Sequence, residues 1–189
     1  MGEKAATNDV IIGLITTLGD ENWGIQCVAC EALGKMGEKA ATNNVINGLM
    51  TALGNDIEHV RENACKALGK IGEKAPTNDV INGLVTVLWD KSMFVRESAC
   101  QILGKMGEKA ATDKVINGLL NARRRVTGYS NADEALEKIL LSFSALTQLS
   151  SDTVSKLFEK RIELDINNQG NYPQHLIKLN IPPYLYIFI

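Results

Sequence analysis

The sequence predicts an all-α solenoid, a stack of helix pairs. Three observations predict it. A near-identical phrase recurs every 35 residues: GEKAATN at 2–8, GEKAATN at 37–43, GEKAPTN at 72–78 and GEKAATD at 107–113. Self-similarity with a period of roughly 20–50 residues marks a repeat architecture. Between successive phrases lie two stretches whose apolar residues recur at helical spacing. Glycines and small residues return at the same places inside both stretches, as close stacking of identical units requires.

The first helix of a unit is clearest in TNDVINGLVTVL, residues 77–88. Thr77 is a good N-cap and Asp79 puts negative charge in the first turn. Val80, Ile81, Leu84, Val85 and Leu88 then form the apolar stripe. The tetrapeptide WDKS ends this helix. The second helix follows in MFVRESACQILGKMG, with Val95, Ala99, Ile102, Leu103 and Met106 on one stripe. Gly107, like Gly37 and Gly72, is placed to stop the second helix as a C′ glycine. The GEKA phrase is then a surface corner. Its glutamates (Glu3, Glu38, Glu73, Glu108) and lysines (Lys4, Lys39, Lys74, Lys109) cancel in charge, which fits a solvated edge. Gly13, Gly48, Gly83 and Gly118 fall inside first helices, where each costs roughly 1 kcal/mol against alanine. Gly34, Gly69 and Gly104 fall late in second helices. Close approach of neighbouring helices is the expected compensation.

The segment DKSMFVRESACQILGKMG resembles the second helix of a HEAT-like repeat, of the subtype first associated with phycobilin lyases. The residues carrying the resemblance are Asp90, Val95, Arg96, Ala99, Cys100, Leu103, Gly104, Met106 and Gly107. Val60, Arg61, Ala64, Cys65, Leu68, Gly69, Ile71 and Gly72 repeat the pattern one unit earlier. The resemblance implies a right-handed α-solenoid of about four repeats. It also implies that the arginine of each Val-Arg pair meets an acid of a neighbouring unit. The first unit departs, with Ile25-Gln26 in place of Val-Arg.

We expect the array to span 1–122, in units near 2–36, 37–71, 72–106 and a partial 107–122. Met1 aligns with Met36, Ile71 and Met106, the last buried position of a second helix. No polar cap precedes the first unit, so we expect a fragment of a longer array, or self-association through this uncapped repeat. The fourth first helix starts at Thr112, but Arg123 stands where Leu18, Leu53 and Leu88 stand. Residues 123–162 should form divergent capping helices. ADEALEKILLSFSAL carries Leu136, Ile139, Leu140, Phe143 and Leu146 as an apolar face, with Ser130 and Asp133 as a capping box. A short helix should start at Ser151. Residues 163–189 contain Pro173, Pro182 and Pro183, have no helical period and read as an irregular or truncated tail.

Composition excludes several function classes. Lys and Arg number 20 against 22 Asp and Glu, a net charge of −2. That argues against a general nucleic-acid binder, whose affinity rests on clustered cations; Arg123, Arg124 and Arg125 read as a solvated loop. There is no secretory signal, no Asn-x-Ser/Thr sequon and no apolar run of the roughly 20 residues that a bilayer demands. Gly2 approaches a myristoylation signal, but Ala6 stands where Ser or Thr is wanted. Cys30, Cys65 and Cys100 repeat at one position and read as small core residues. Cys27-x-x-Cys30 lacks the second ligand pair that a zinc site needs. A cytoplasmic, reducing setting fits.

Catalytic constellations are absent from the sequence pattern. His59 and His175 belong to no motif, and His59 reads as an exposed bystander. HEAT-like deoxyhypusine hydroxylases hold two irons with repeated His-Glu pairs. The corresponding places here are Cys27-Val28, Glu62-Asn63 and Glu97-Ser98. We expect no metal and no cofactor.

Comparison of the units separates constant positions from free ones. On the second helices the free positions are Trp23, Glu58 and Met93; Gly24, His59 and Phe94; Cys27, Glu62 and Glu97; Val28, Asn63 and Ser98; and Glu31, Lys66 and Gln101. Their spacing puts them on one face, opposite the core stripe. Constant architecture with one varied face is what a binding array would show. We therefore expect a non-catalytic scaffold that binds a protein or peptide on a concave face of second helices, with neither nucleic acid nor membrane as partner. The alternative is a HEAT-like lyase or enzyme subunit acting on a chromophore or protein substrate.

Overall fold

The computed structural model describes residues 8–74, 77–123, 131–140 and 149–156. Eight α-helices run through them in four consecutive pairs. They are α1 (Asn8–Thr17) with α2 (Trp23–Met36), α3 (Asn43–Ala52) with α4 (Glu58–Lys74), α5 (Asn78–Val87) with α6 (Met93–Met106), and α7 (Asp113–Arg123) with α8 (Asn131–Leu140). A further helical run covers 151–156. Among the described residues there is no strand, and no helix is long and apolar enough to cross a membrane. Met1, Gly2, His175 and the expected tail of 163–189 lie outside the described residues, as do Arg124, Arg125, Ser130, Phe143 and Leu146.

Local chemistry starts the helices as expected. The hydroxyls of Thr42, Thr77 and Thr112 accept from the backbone N–H of Val45, Val80 and Val115, at 3.4, 3.3 and 3.3 Å. Each bond satisfies one of the free donors at a helix start. The last run starts at Ser151 as expected, and Ser150 is its cap: the Ser150 Oγ accepts from Thr153 N–H at 3.3 Å.

The repeated corner takes two forms. At 37–40 and 107–110 the GEKA phrase is a single 3-10 turn, entered through Gly37 and Gly107 at φ +56°. That dihedral is open to glycine and strained for other residues. Ala41 and Ala111 close these turns by donating to the carbonyls of Glu38 and Glu108 at 3.0 Å. Their ends are buried, because Ala40 and Ala110 are fully covered. The middle corner differs from expectation. Gly72 does not stop the second helix, and α4 continues through it to Lys74. The physical reason is Pro76, which occupies the place of Ala41 and Ala111. Proline has no N–H to close the turn, and it disfavours helical geometry at the residue before it.

The helices bury their predicted stripes in one continuous core, except that Val10 of α1 and Ile25 of α2 in the first pair stay exposed. Leu33, Leu49, Leu68, Leu84, Leu103 and Leu119 are fully buried. Successive second helices, α2 to α4 to α6 to α8, touch one another far more extensively than successive first helices do. So α8 takes the second-helix place in the fourth pair, with Leu136 and Ile139 buried. Glycines permit the close stacking. A Cβ at Gly34 would come within 3.0 Å of Ala67 Cα, and one at Gly104 within 3.0 Å of Ala135 Cα. Gly13 breaks this pattern, with nothing within 4 Å of its added Cβ.

A polar ladder runs along the loops between first and second helices. Arg61 donates from Nε to Asp90 Oδ2 at 2.7 Å and from Nη2 to Oδ1 at 2.9 Å, a two-pronged bond across a joint. Its Nη1 also donates to the carbonyls of Asn55 and Asp56. In the first unit a neutral pair replaces the ionic one. Gln26 Nε2 donates to Asp20 O, and Asn55 Nδ2 donates to Gln26 Oε1 at 2.9 Å. The ladder therefore survives the change from Val-Arg to Ile-Gln. Arg123 is also tied down. It ends α7 and is ion-paired with Asp133 of α8, which corrects its reading as a solvated loop residue.

Candidate interaction face

The face opposite the core stripe of α2, α4 and α6 carries the variable residues. Because these helices sit side by side, their faces form one surface. Trp23, Met93 and Phe94 stand out from it, exposed by 50, 51 and 58%. His59, Glu31, Lys66 and Gln101 are exposed, and Gly24, Cys27, Glu58, Glu62 and Glu97 are half-buried. All twelve expected residues thus keep some contact with solvent.

Several of them meet. The Trp23 and His59 rings stack across α2 and α4, with centroids 5.6 Å apart and planes inclined by 30°. His59 is therefore half of an aromatic pair and not a bystander. The Asn63 side chain lies beside the Cys27 thiol, again from α2 to α4. Both contacts join residues one step past the 35-residue equivalence. This offset corrects one row of the expected face. Asn63 lies against the preceding second helix, so the row Val28, Asn63, Ser98 is a joint between helices, and Ser98 is buried.

The charges on the face are partly paired. Glu31 with Lys35 and Glu62 with Lys66 form i,i+4 bridges at 2.7 Å. The Lys35 hydrogen bond, with its charge, holds the Glu31 carboxyl below its ordinary value. Such exposed pairs contribute little to stability. The thiols are not activated. Burial pushes Cys30, Cys65 and Cys100 up to about 12. Burial also raises Cys27, with the Asn63 side chain opposing it and Glu62 adding to it. All four cysteines are unpaired. Among the described residues no group of three or more His, Cys, Asp or Glu side chains could hold a metal ion.

Among the exposed apolar residues that the sequence reading missed, two flank this face. Ile57 and Trp89 lie in the loops that lead into α4 and α6, exposed by 40 and 48%. Trp89 could have been found, since Gly19 and Gly54 hold its place in the other units. A shallow hollow lies between α1 and α3, on the other layer, walled by Ile12, Ile15, Asn44, Asn47 and Thr51. Its signal was Ile12, which stands where Asn47, Asn82 and Asn117 stand. The later joints bridge this position: Lys114 donates to Asn82 at 2.7 Å and Asn117 to Thr153 at 3.2 Å.

Residues 11–92, less than half of the chain, match the family model described as HEAT repeats. The match is to these repeats as a class and carries no lyase-type specificity. No curated protein matches the chain.

Proposed function

We propose that this HEAT-like repeat protein, matched as such over residues 11–92, is a non-catalytic scaffold that binds a protein or peptide on the face of α2, α4 and α6. The observation that carries the reading is the exposure of Trp23, Met93 and Phe94 on an otherwise regular array. Large aromatic side chains and methionine are enriched at interfaces and supply much of their binding energy. The tighter packing of the second-helix layer supports a concave position for it, because the inner layer of a curved stack is the more closely spaced one. The mixture of apolar anchors with Glu58, Glu62 and Glu97 suits a partner segment that is itself apolar and basic. The thiol state of all four cysteines suits a reducing compartment such as the cytoplasm.

A photo-crosslinker at Phe94 tests this face against one at Thr86, an exposed residue of α5 on the other layer. The expected result is a partner captured from position 94, not from 86, and lost when Trp23→Ala and Met93→Ala are added. Equal capture from both positions would move the site off this face. Circular dichroism would confirm unchanged helicity, as expected for exposed substitutions.

A further inference from the structure

The joints of the array share three kinds of contact between a unit and the one before it, the first two at all three joints and the third at the first two. A glycine of the later first helix receives an aliphatic side chain: Gly48 faces Leu18, Gly83 faces Met50 and Leu53, and Gly118 faces Leu88 and Val85. Apolar residues of the later unit are covered completely, so Val45, Val80, Val115, Val60 and Val95 are 0% exposed. A loop side chain of the later unit, Asp90 or Asn55, meets Arg61 or Gln26 of the earlier one. Its other bond is to its own loop, as when Asp90 Oδ1 accepts from Ser92 N–H.

The face of α1 and α2 that leads the array carries every receiving half of these contacts. Gly13 has nothing within 4 Å of its added Cβ. Val10 and Ile25, the counterparts of the fully covered valines, are 43 and 42% exposed. Val28 leads the joint row in which Ser98 is buried, and it too is open. Asp20 accepts from Asn22 N–H at 2.8 Å, as Asp90 does from Ser92, and no guanidinium reaches it among the described residues.

We propose that this leading face binds one further helix pair of the same repeat type, which seats an aliphatic side chain on Gly13 and a guanidinium on Asp20. The interior joints show what covers such a face. They also argue against a second copy of the chain meeting it face to face. That arrangement would oppose two empty sockets and two carboxylates, with no side chain to fill either. The proposal is independent of the face of α2, α4 and α6.

The test is a lengthened chain in which residues 37–71 are repeated between Met1 and Gly2, which keeps the register. In the added unit the copies of Met50 and Leu53 would meet Gly13, and the copy of Arg61 would meet Asp20. Backbone amides of α1 should exchange at least ~tenfold more slowly than in the original chain, since a docked neighbour suppresses local opening. Gly13→Leu should abolish this gain. The same substitution should leave the original chain folded, because the space around Gly13 is open. Asp20→Asn and Arg61→Ala in the added copy should each reduce the gain, and together no further than singly. Unchanged exchange in α1 would overturn the proposal, whether the added unit is helical or not, since docking is what would fold it there. So would a gain that survives Gly13→Leu. So would dimerisation of the original chain, by sedimentation, that Gly13→Leu removes, because the occupant would then be a second copy.

Discussion

Arg61→Ala is expected to destabilise the protein by about 3–5 kcal/mol, as removal of one partner from a buried ion pair does. The side chains of Arg61 and Asp90 are only 5 and 10% exposed. Without the guanidinium, Asp90 keeps the Ser92 N–H and loses both charged bonds. The carbonyls of Asn55 and Asp56 lose their donor as well. The comparison is Gln26→Ala at the preceding joint, where the pair is neutral and about 0.5–1.5 kcal/mol is expected.

The two joints should also differ in pH dependence. Burial alone would raise the Asp90 carboxyl, but the Arg61 bonds and the Ser92 N–H outweigh it and hold it below the ordinary carboxylate value. A carboxyl depressed in the folded state contributes stability that is complete above its unfolded value of about 3.9. That contribution is lost as pH falls through the folded value. The gap between wild type and Arg61→Ala in urea denaturation should therefore narrow between neutral pH and pH values well below about 4. A gap of the same size at both ends would make lost packing, and not the ion pair, the cause.

Leu68→Ala is expected to cost about 2–5 kcal/mol, the range for truncating a buried leucine. Leu68 is fully buried in α4, the helix that touches α2, α3, α5 and α6. A cavity there loosens two joints at once. Since domains of this size are stable by only about 5–15 kcal/mol, the loss is a large share of the total. Glu73→Ala, on an exposed residue at the end of the same helix, should stay within about 0.5 kcal/mol. Thermal midpoints that fall equally in both variants would contradict the assignment of the helix faces.

Much of this was legible before any coordinates, and the reasons are local. A threonine before an apolar stripe caps a helix wherever it occurs, and Thr42, Thr77 and Thr112 all do so. Leu68 is buried because its stripe has helical period. The extension of α4 was legible too, since Pro76 removes an N–H that the other corners use. It was missed because the repeated phrase suggested identical corners. The Arg61–Asp90 joint was implied by the family resemblance, but its neutral counterpart at Gln26 and Asn55 was not, because neither residue belongs to the motif.

By itself, then, the sequence determined the period, the helix pairs, their caps and the stripe each helix buries. These follow from helical geometry and from chemistry within a few residues. The tertiary structure alone decided how units meet. Across the joint of α2 and α4 Trp23 stacks on His59 while Gly34 packs on Ala67, and Ser98 is buried against a neighbour where Val28 is open. No period within a helix encodes these pairings. They are set by which side chains fit between helices, and so the residues that a neighbour covers, and those that await one, emerge only when the units are stacked.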